Sequence, residues 1–195
     1  DGIDDQVEID QAIQALPATA GEIVILDGTY NITASIDITK VNISIRGSGD
    51  STILKRMWDG SHESHSIISV KNIDGFILAD LCLDGNKSTY SASTNYGLYA
   101  GIGNPMIAVR NVTAVDHSGG GFGGQAEASY LYCRAMNNDG YGIRISGNSV
   151  VIGNRCLNNN VGVYLQGSKN LVIGNICIDN NTGILSSGAT SHRNK

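Results

Sequence analysis

The stretch NRCLNNNVGVYLQGSKNLVIG, beginning at Asn154, recurs as NICIDNNTGILSSGATSHRNK from Asn175, an offset of 21 residues. That offset sets Ile152 over Ile173, Asn154 over Asn175, Cys156 over Cys177, Asn159 over Asn180, Gly162 over Gly183 and Val163 over Ile184. One step back, CRAMNNDGYGIRISG from Cys133 keeps Ala135, Asn138 and Ile143 near the same columns. A further step, VTAVDHSGGGFGG from Val112, keeps Ala114, His117 and Phe122 with the register blurred by about one residue, and ILADLCLDGN at 77–86 is a weaker copy. A short period built from β-branched segments and Asn/Gly turns describes a unit that cannot bury its apolar side alone. Stacked about 4.8 Å apart, such coils pair each strand in parallel with its copies above and below. Apolar columns then form the core, and columns such as Asn159/Asn180 can bond amide to amide along the axis. The glycines at 142, 162 and 183 are expected at turn positions of positive φ.

The rest of the chain agrees. Of 195 residues, 41% are hydrophobic and only 16% charged, which excludes a disordered chain. Gly numbers 25 and Pro 2, with no G-X-Y period, which excludes collagen. A net charge of -5 argues against a nucleic-acid partner, and no apolar run is long enough to span a membrane. Residues 5–16 are the one convincing helix: Val7, Ile9, Ala12, Ile13 and Leu16 have helical spacing, Asp4 or Asp5 can cap the start, and Pro17 and Gly21 end it. EIVILDGTYNI then reads as a buried strand and turn, and SIDITKVNISIRGSG alternates with period two. The four cysteines, Cys82, Cys133, Cys156 and Cys177, lie in apolar runs without zinc spacing and read as small buried hydrophobes.

The order of these segments resembles the pectate-lyase-like family of right-handed parallel β-helices. The resemblance rests on Asp1-Gly2-Ile3-Asp4-Asp5 through Leu16, then EIVILDGTYNI, RGSGDSTIL and IDGFILADLCLDGN. The tail is similar to the Asn/Gly repeats of periplasmic copper-processing-type and surface β-helix proteins. The expected fold is all-β: a single right-handed parallel β-helix of about seven coils with an N-terminal amphipathic capping helix. One domain covers 1–195, with the cap at 1–20, irregular coils at 21–128 carrying loop insertions at 56–66 and 85–105, and regular coils at 129–195. The last repeat stops at Lys195, where the copies above continue with VVIG and LVIG. The expectation is the N-terminal part of a longer solenoid, or end-to-end or trimeric self-association through the last coil, or a partner that covers its unpaired edge.

The resemblance implies a secreted or cell- or virion-surface protein that recognises an acidic polysaccharide and cleaves or epimerises it. The alternative is a non-enzymatic spike, adhesin or filament segment, because this fold carries many functions. Lysis needs a base at the sugar C5 and a cation at the uronate carboxylate. Asp116, His117, Asp139, Tyr141 and Arg144 are the expected catalytic set, with Asp84 and Asp116 as a Ca²⁺ pair. Trp58, Tyr90, Tyr96 and Tyr99 are expected to stack on sugars, and Arg134 and Arg155, one coil apart, to form a basic stripe. Each has a bland counterpart: His117 shares its column with Asn138 and Asn159, and the aromatics can simply pack loops onto coils. His62, Glu63 and His65 read as a solvated loop, since their spacing is not that of a helical HExxH. The pectin-hydrolase NTD, DD, GHG and RIK set and the alginate-epimerase DPH motif are absent, so no known catalytic set transfers whole.

Overall fold

The computed structural model describes residues 2–59, 66–91, 95–101, 106–124 and 127–187. Helix α1 (Gln6–Ala15) precedes seven coils, each of which contributes one strand to a 7-stranded sheet that forms the third face of the solenoid. The first coil holds β1 (Gly21–Val24), β2 (Gly28–Ile32) and β3 (Ile36–Ile38); the second holds β4 (Ile43–Arg46), β5 (Thr52–Arg56) and β6 (Ile68–Val70). In the third and fourth coils one long strand turns through the first two faces: β7 (Ile77–Asp84) followed by β8 (Tyr96–Ala100), then β9 (Ile107–Val115) followed by β10 (Gly120–Gly124). The fifth has β11 (Ala128–Leu131), β12 (Arg134–Met136) and β13 (Tyr141–Ile145). The sixth has β14 (Val150–Ile152), β15 (Arg155–Leu157) and β16 (Val161–Gln166), and the seventh β17 (Leu171–Ile173), β18 (Ile176–Ile178) and β19 (Thr182–Ser187). Every pairing between described strands is parallel. Tyr96–Ala100, inside the segment expected to be a loop insertion, is thus a regular strand of the third face.

Three inward files make the core. On the first face Ile23, Ile45, Leu78, Val109, Tyr130, Val151 and Val172 lie in register. On the second the file runs Leu54, Leu83, Ala114, Ala135, Cys156 and Cys177. On the third it runs Ile36, Ile68, Leu98, Phe122, Ile143, Val163 and Ile184. Full burial of one such side chain is worth about 1.5–3 kcal/mol. All four cysteines are free thiols; three are buried and Cys177 is half-buried.

The second-to-third-face corner adds a buried polar file. Asn159 Nδ2 donates to the Ala135 carbonyl (3.0 Å) and to Asn180 Oδ1 (2.9 Å), while Asn159 Oδ1 accepts from Asn138 N (3.2 Å) and Nδ2 (2.9 Å). Asn154 and Asn175 repeat the pattern at the other corner. Gly142, Gly162 and Gly183 do not have positive φ, contrary to expectation. They lie beside the file: a side chain at Gly162 would meet the Gly183 carbonyl, the Cys177 sulfur and the Asn180 amide. At this corner the left-handed positions include Asn86, Asp116, Asn137, Asn158 and Asp179, residue types that tolerate that conformation.

Helix α1 covers the second and third strands of the first coil and buries Gln6, Ile9 and Ile13. Asp5 stands at its N-cap without a side-chain capping bond, because its carboxylate instead accepts from Asn31 N at 2.6 Å and ties the helix to the coil. Val7, expected on the buried face, is 42% exposed. No helix among the described residues is long and apolar enough to cross a membrane.

Asn159→Ala removes the central amide and strands its partners in the interior. The expected loss is about 2–4 kcal/mol of unfolding free energy, read from the urea midpoint; a loss below about 0.5 kcal/mol would show that the amide file does not hold the coils.

Candidate functional site

The corner between the second and third faces opens into a cavity of about 600 Å³ lined by Lys55, Asp84, Asn86, Lys87, Ser88, Asp116 and Asp139. Register brings these together: Lys55 pairs with Asp84, and Asp84 with Val115, along the outer edge of the second face. Asp116 is therefore one residue past the column of Asp84, at the left-handed corner position, yet both carboxylates reach the cavity. Asn86 N donates to Asp84 Oδ1 (2.8 Å), which fixes that carboxylate. Lys87 Nζ donates to Asp139 Oδ1 (2.6 Å) and to the Asn137 carbonyl (2.5 Å), bridging down to the fifth coil. Asp139 also lines a second hollow of about 360 Å³ with Asn138, Asn158, Asn159, Asn160, Asp179 and Asn181. Outward amides link the coils there, Asn158 to Asn137 at 3.3 Å and Asn181 to Asn160 at 3.0 Å. The corner is a trough of carboxylates and amides running along the axis, rich in fixed hydrogen-bond acceptors and donors.

His117 is not in this trough. It is fully buried and occupies the end of the amide file. Its backbone N–H donates to Asn138 Oδ1 (3.0 Å), and its Nε2–H points to the Leu83 carbonyl (3.1 Å) as Asn138 Nδ2 points to Ala114. Burial holds the imidazole neutral, with a pKa pushed down to about 3, opposed by the Leu83 bond and assisted by the charges of Arg56 and Lys87. A base facing a groove is corrected to a core residue that replaces an asparagine.

Tyr141 and Arg144 lie on the third face, away from the cavity lining. The Tyr141 ring stacks on Tyr164 (centroids 4.9 Å, planes 13° apart). The Arg144 guanidinium lies 5.8 Å from the Tyr141 centroid and donates to Gln166 Oε1 (3.2 Å) and Tyr96 Oη (3.5 Å). Tyr96, with Tyr99 at 5.8 Å, spreads its ring over β10, where Gly120 and Gly123 leave the space that side chains would fill. Gly120 and Gly123 are glycines because the ring above them needs bare backbone, whereas Gly121 abuts the Gly142 carbonyl and Gly124 the Ala100 backbone. Tyr96 is buried under these contacts, so it anchors the cluster rather than offering a free face.

The remaining expected residues scatter. Trp58 packs against the core with the buried Arg56 guanidinium 4.0 Å from its centroid; burial lowers the Arg56 pKa to about 10. Tyr90 is half-buried in the turn after Asn86 and does not line the cavity. Arg134 and Arg155 pair across adjacent strands, but Arg134 is ion-paired with Asp50 whereas Arg155 is exposed. His62, Glu63 and His65 lie outside the described residues. Among the described residues no three acidic, His or Cys groups are placed to hold a metal. Asp84 and Asp116 share their cavity with Lys55 and Lys87, whose ammonium groups supply the positive charge that Ca²⁺ would bring. The donor set does not fit the ion. Sequence reading missed Lys55, Lys87 and Tyr164: the loop between β5 and β6 breaks the 21-residue offset between Lys55 and Asp84, Lys87 lies in the loop between β7 and β8, and Tyr164, in the regular coils, carried no motif of its own.

No protein-family model and no curated relative matches the chain. Solved structures do. Geobacillus virus E2 ORF18 aligns with a TM-score of 0.71 at 17% identity, over 87% of this chain and 38% of its own. The A-module of the Azotobacter vinelandii mannuronan C-5 epimerase AlgE4 aligns with a TM-score of 0.56 at 14% identity, over 100% of this chain and 73% of its own. The Dettilon tailspike protein gp208 aligns with a TM-score of 0.59 at 11% identity, over 93% of this chain and 43% of its own. The fold is the pectate-lyase-like right-handed β-helix. Within that β-helix, the chain spans less than half the length of the two phage proteins.

The buried neutral His117 makes stability depend on pH. Unfolded, it titrates near 6.5; folded, near 3. Between these values only the unfolded chain takes the proton, so stability should fall as pH drops from about 6.5 toward 3, by up to about 1.4 kcal/mol per unit. His117→Asn should flatten that part of the pH profile of the urea midpoint. An unchanged profile would contradict the burial of the ring.

Proposed function

We propose that the chain is a polysaccharide-binding β-helix, secreted or carried on a cell or virion surface, with its glycan lying along the corner trough. The observation carrying this reading is the run of carboxylates and amides from Lys55 and Asp84 to Asp179 and Asn181, fixed by hydrogen bonds along the coils. Carboxylates and amides at fixed positions suit the many hydroxyls of a sugar chain. Structural neighbours support the class: one is named for mannuronan epimerisation, another is a tailspike, and a pectin methylesterase aligns in complex with a hexasaccharide.

The acidic-glycan form of the proposal assigns uronate carboxylates in the trough to Lys55 and Lys87. A lyase or epimerase form would need the glycan on the third face instead, where Tyr141 would take the C5 proton and Arg144 would hold the carboxylate. In lysis the C4–O bond would break with its oxygen taking a proton from water; in epimerisation water would return the proton to the opposite face of C5. The buried His117 takes no part. The competing form is recognition without turnover, favoured by how fully Lys87, Asp139 and Arg144 are engaged by other protein groups. Association of copies, end to end or as a trimer, belongs to the same proposal.

Affinity electrophoresis in gels containing pectate, alginate or a neutral polysaccharide tests binding. Asp84→Asn/Asp116→Asn is expected to weaken retention about tenfold without lowering the unfolding midpoint, the equivalent of about 1.4 kcal/mol. Unretarded migration in every gel would end the binding proposal. Ultraviolet absorbance from unsaturated product separates lysis from binding alone.

A further inference from the structure

The opposite edge of the second face carries a smaller cavity, about 270 Å³, lined by Gly49, Asp50, Asp80, Asn111, Tyr132 and Arg134. Successive coils place Asp80, Asn111, Tyr132, Gly153 and Gly174 at this corner, all with positive φ. Asp, Asn and Gly tolerate that backbone; a tyrosine does so at a conformational cost. Tyr132 has φ 56° and is 64% exposed, so core packing does not account for its presence. Its ring rests on Gly153, in space a side chain there would claim. The corner thus holds an aromatic surface out toward solvent on a rigid strand edge.

The polar groups around it are fixed. Asn111 Nδ2 donates to Asp80 Oδ1 at 3.1 Å, and Thr113 Oγ1 donates to Asp50 Oδ1 at 2.7 Å. Arg134 Nε donates to Thr113 Oγ1 at 3.1 Å, and its guanidinium pairs with Asp50. The one guanidinium of the cavity is already paired with Asp50, so a uronate or a phosphate finds no uncommitted cation there. An apolar ring beside carboxylate and amide acceptors suits a pyranose, whose C–H face is apolar and whose rim is hydroxyl.

We propose that this cavity is a second glycan subsite, binding a neutral pyranose with its C–H face on Tyr132 and its hydroxyls on Asp80, Asn111 and Asp50. It rests on the reading of the chain as glycan-binding and deepens it, since it adds a neutral-sugar contact on the far edge of the second face from the trough. A glycan held at both edges would lie across the solenoid.

The test is saturation-transfer NMR on the full chain with maltose, cellobiose, lactose and chitobiose, and digalacturonate as the acidic probe. Tyr132→Asn is the key variant, because Asn tolerates the left-handed backbone and only the ring is lost. The expected result is saturation of at least one neutral disaccharide, reduced at least tenfold in apparent affinity by Tyr132→Asn and retained in Tyr132→Phe. Asp84→Asn/Asp116→Asn should leave that signal intact while weakening polymer binding. No signal from any neutral sugar, a signal indifferent to Tyr132→Asn, or binding of digalacturonate alone overturns the subsite. A Tyr132-dependent signal in a chain whose polymer retention ignores the Asp84/Asp116 change would instead sink the trough and keep the subsite.

Discussion

The structure depends on coils lying in register, so that each backbone strand and each inward side chain meets its own counterpart. Parallel pairing satisfies the strands, but the corners leave backbone groups facing inward that no strand can pair. The asparagine file answers this. Each amide donates to a carbonyl of the preceding coil and its oxygen accepts from an N–H of that same coil, while its N–H also reaches the amide oxygen one coil on. A slip of one residue would turn the apolar files outward and leave these amides buried without partners, so the register is fixed twice, by apolar burial and by polar satisfaction.

That same arrangement builds the surface. A left-handed residue at each corner sends the neighbouring side chains out of the solenoid, and stacking repeats them coil after coil. Asn137, Asn158 and Asp179 at one corner, and Asp80, Asn111 and Tyr132 at the other, become lines of functional groups on a rigid frame. The corner is therefore where this fold concentrates polar groups with fixed geometry. The broad faces behave differently: on the third, bare glycine backbone under Tyr96 lets an aromatic and arginine cluster lie flat.

His117 shows where residue type misleads. A histidine after an aspartate in a Gly-rich segment has the appearance of catalytic chemistry. Its column was the better guide, since the residues one and two coils on are asparagines, and its Nε2–H makes the bond that an asparagine amide would make. Asp84, Asp116 and Asp139 were legible as one cluster and do share a cavity, while Tyr141 and Arg144, only a few residues beyond Asp139, turn onto another face. Asp139 lies in the corner turn and Tyr141 opens β13, so the turn between them changes which surface the side chains join.

The sequence by itself determined the stacking of like on like. A 21-residue offset repeated in identity and residue class admits few other arrangements, and the capping helix followed from apolar spacing ended by Pro17 and Gly21. Only the tertiary structure decided which residues of neighbouring coils meet where the offset is broken. Lys55 is set beside Asp84 in register, and Lys87 bonds to Asp139, across segments of unequal length that the stacking of the coils brings together. The identity of a cavity's walls is a property of that pairing, because hydrogen-bond register between coils is set by the whole core and not by the local spacing of the residues that line the surface.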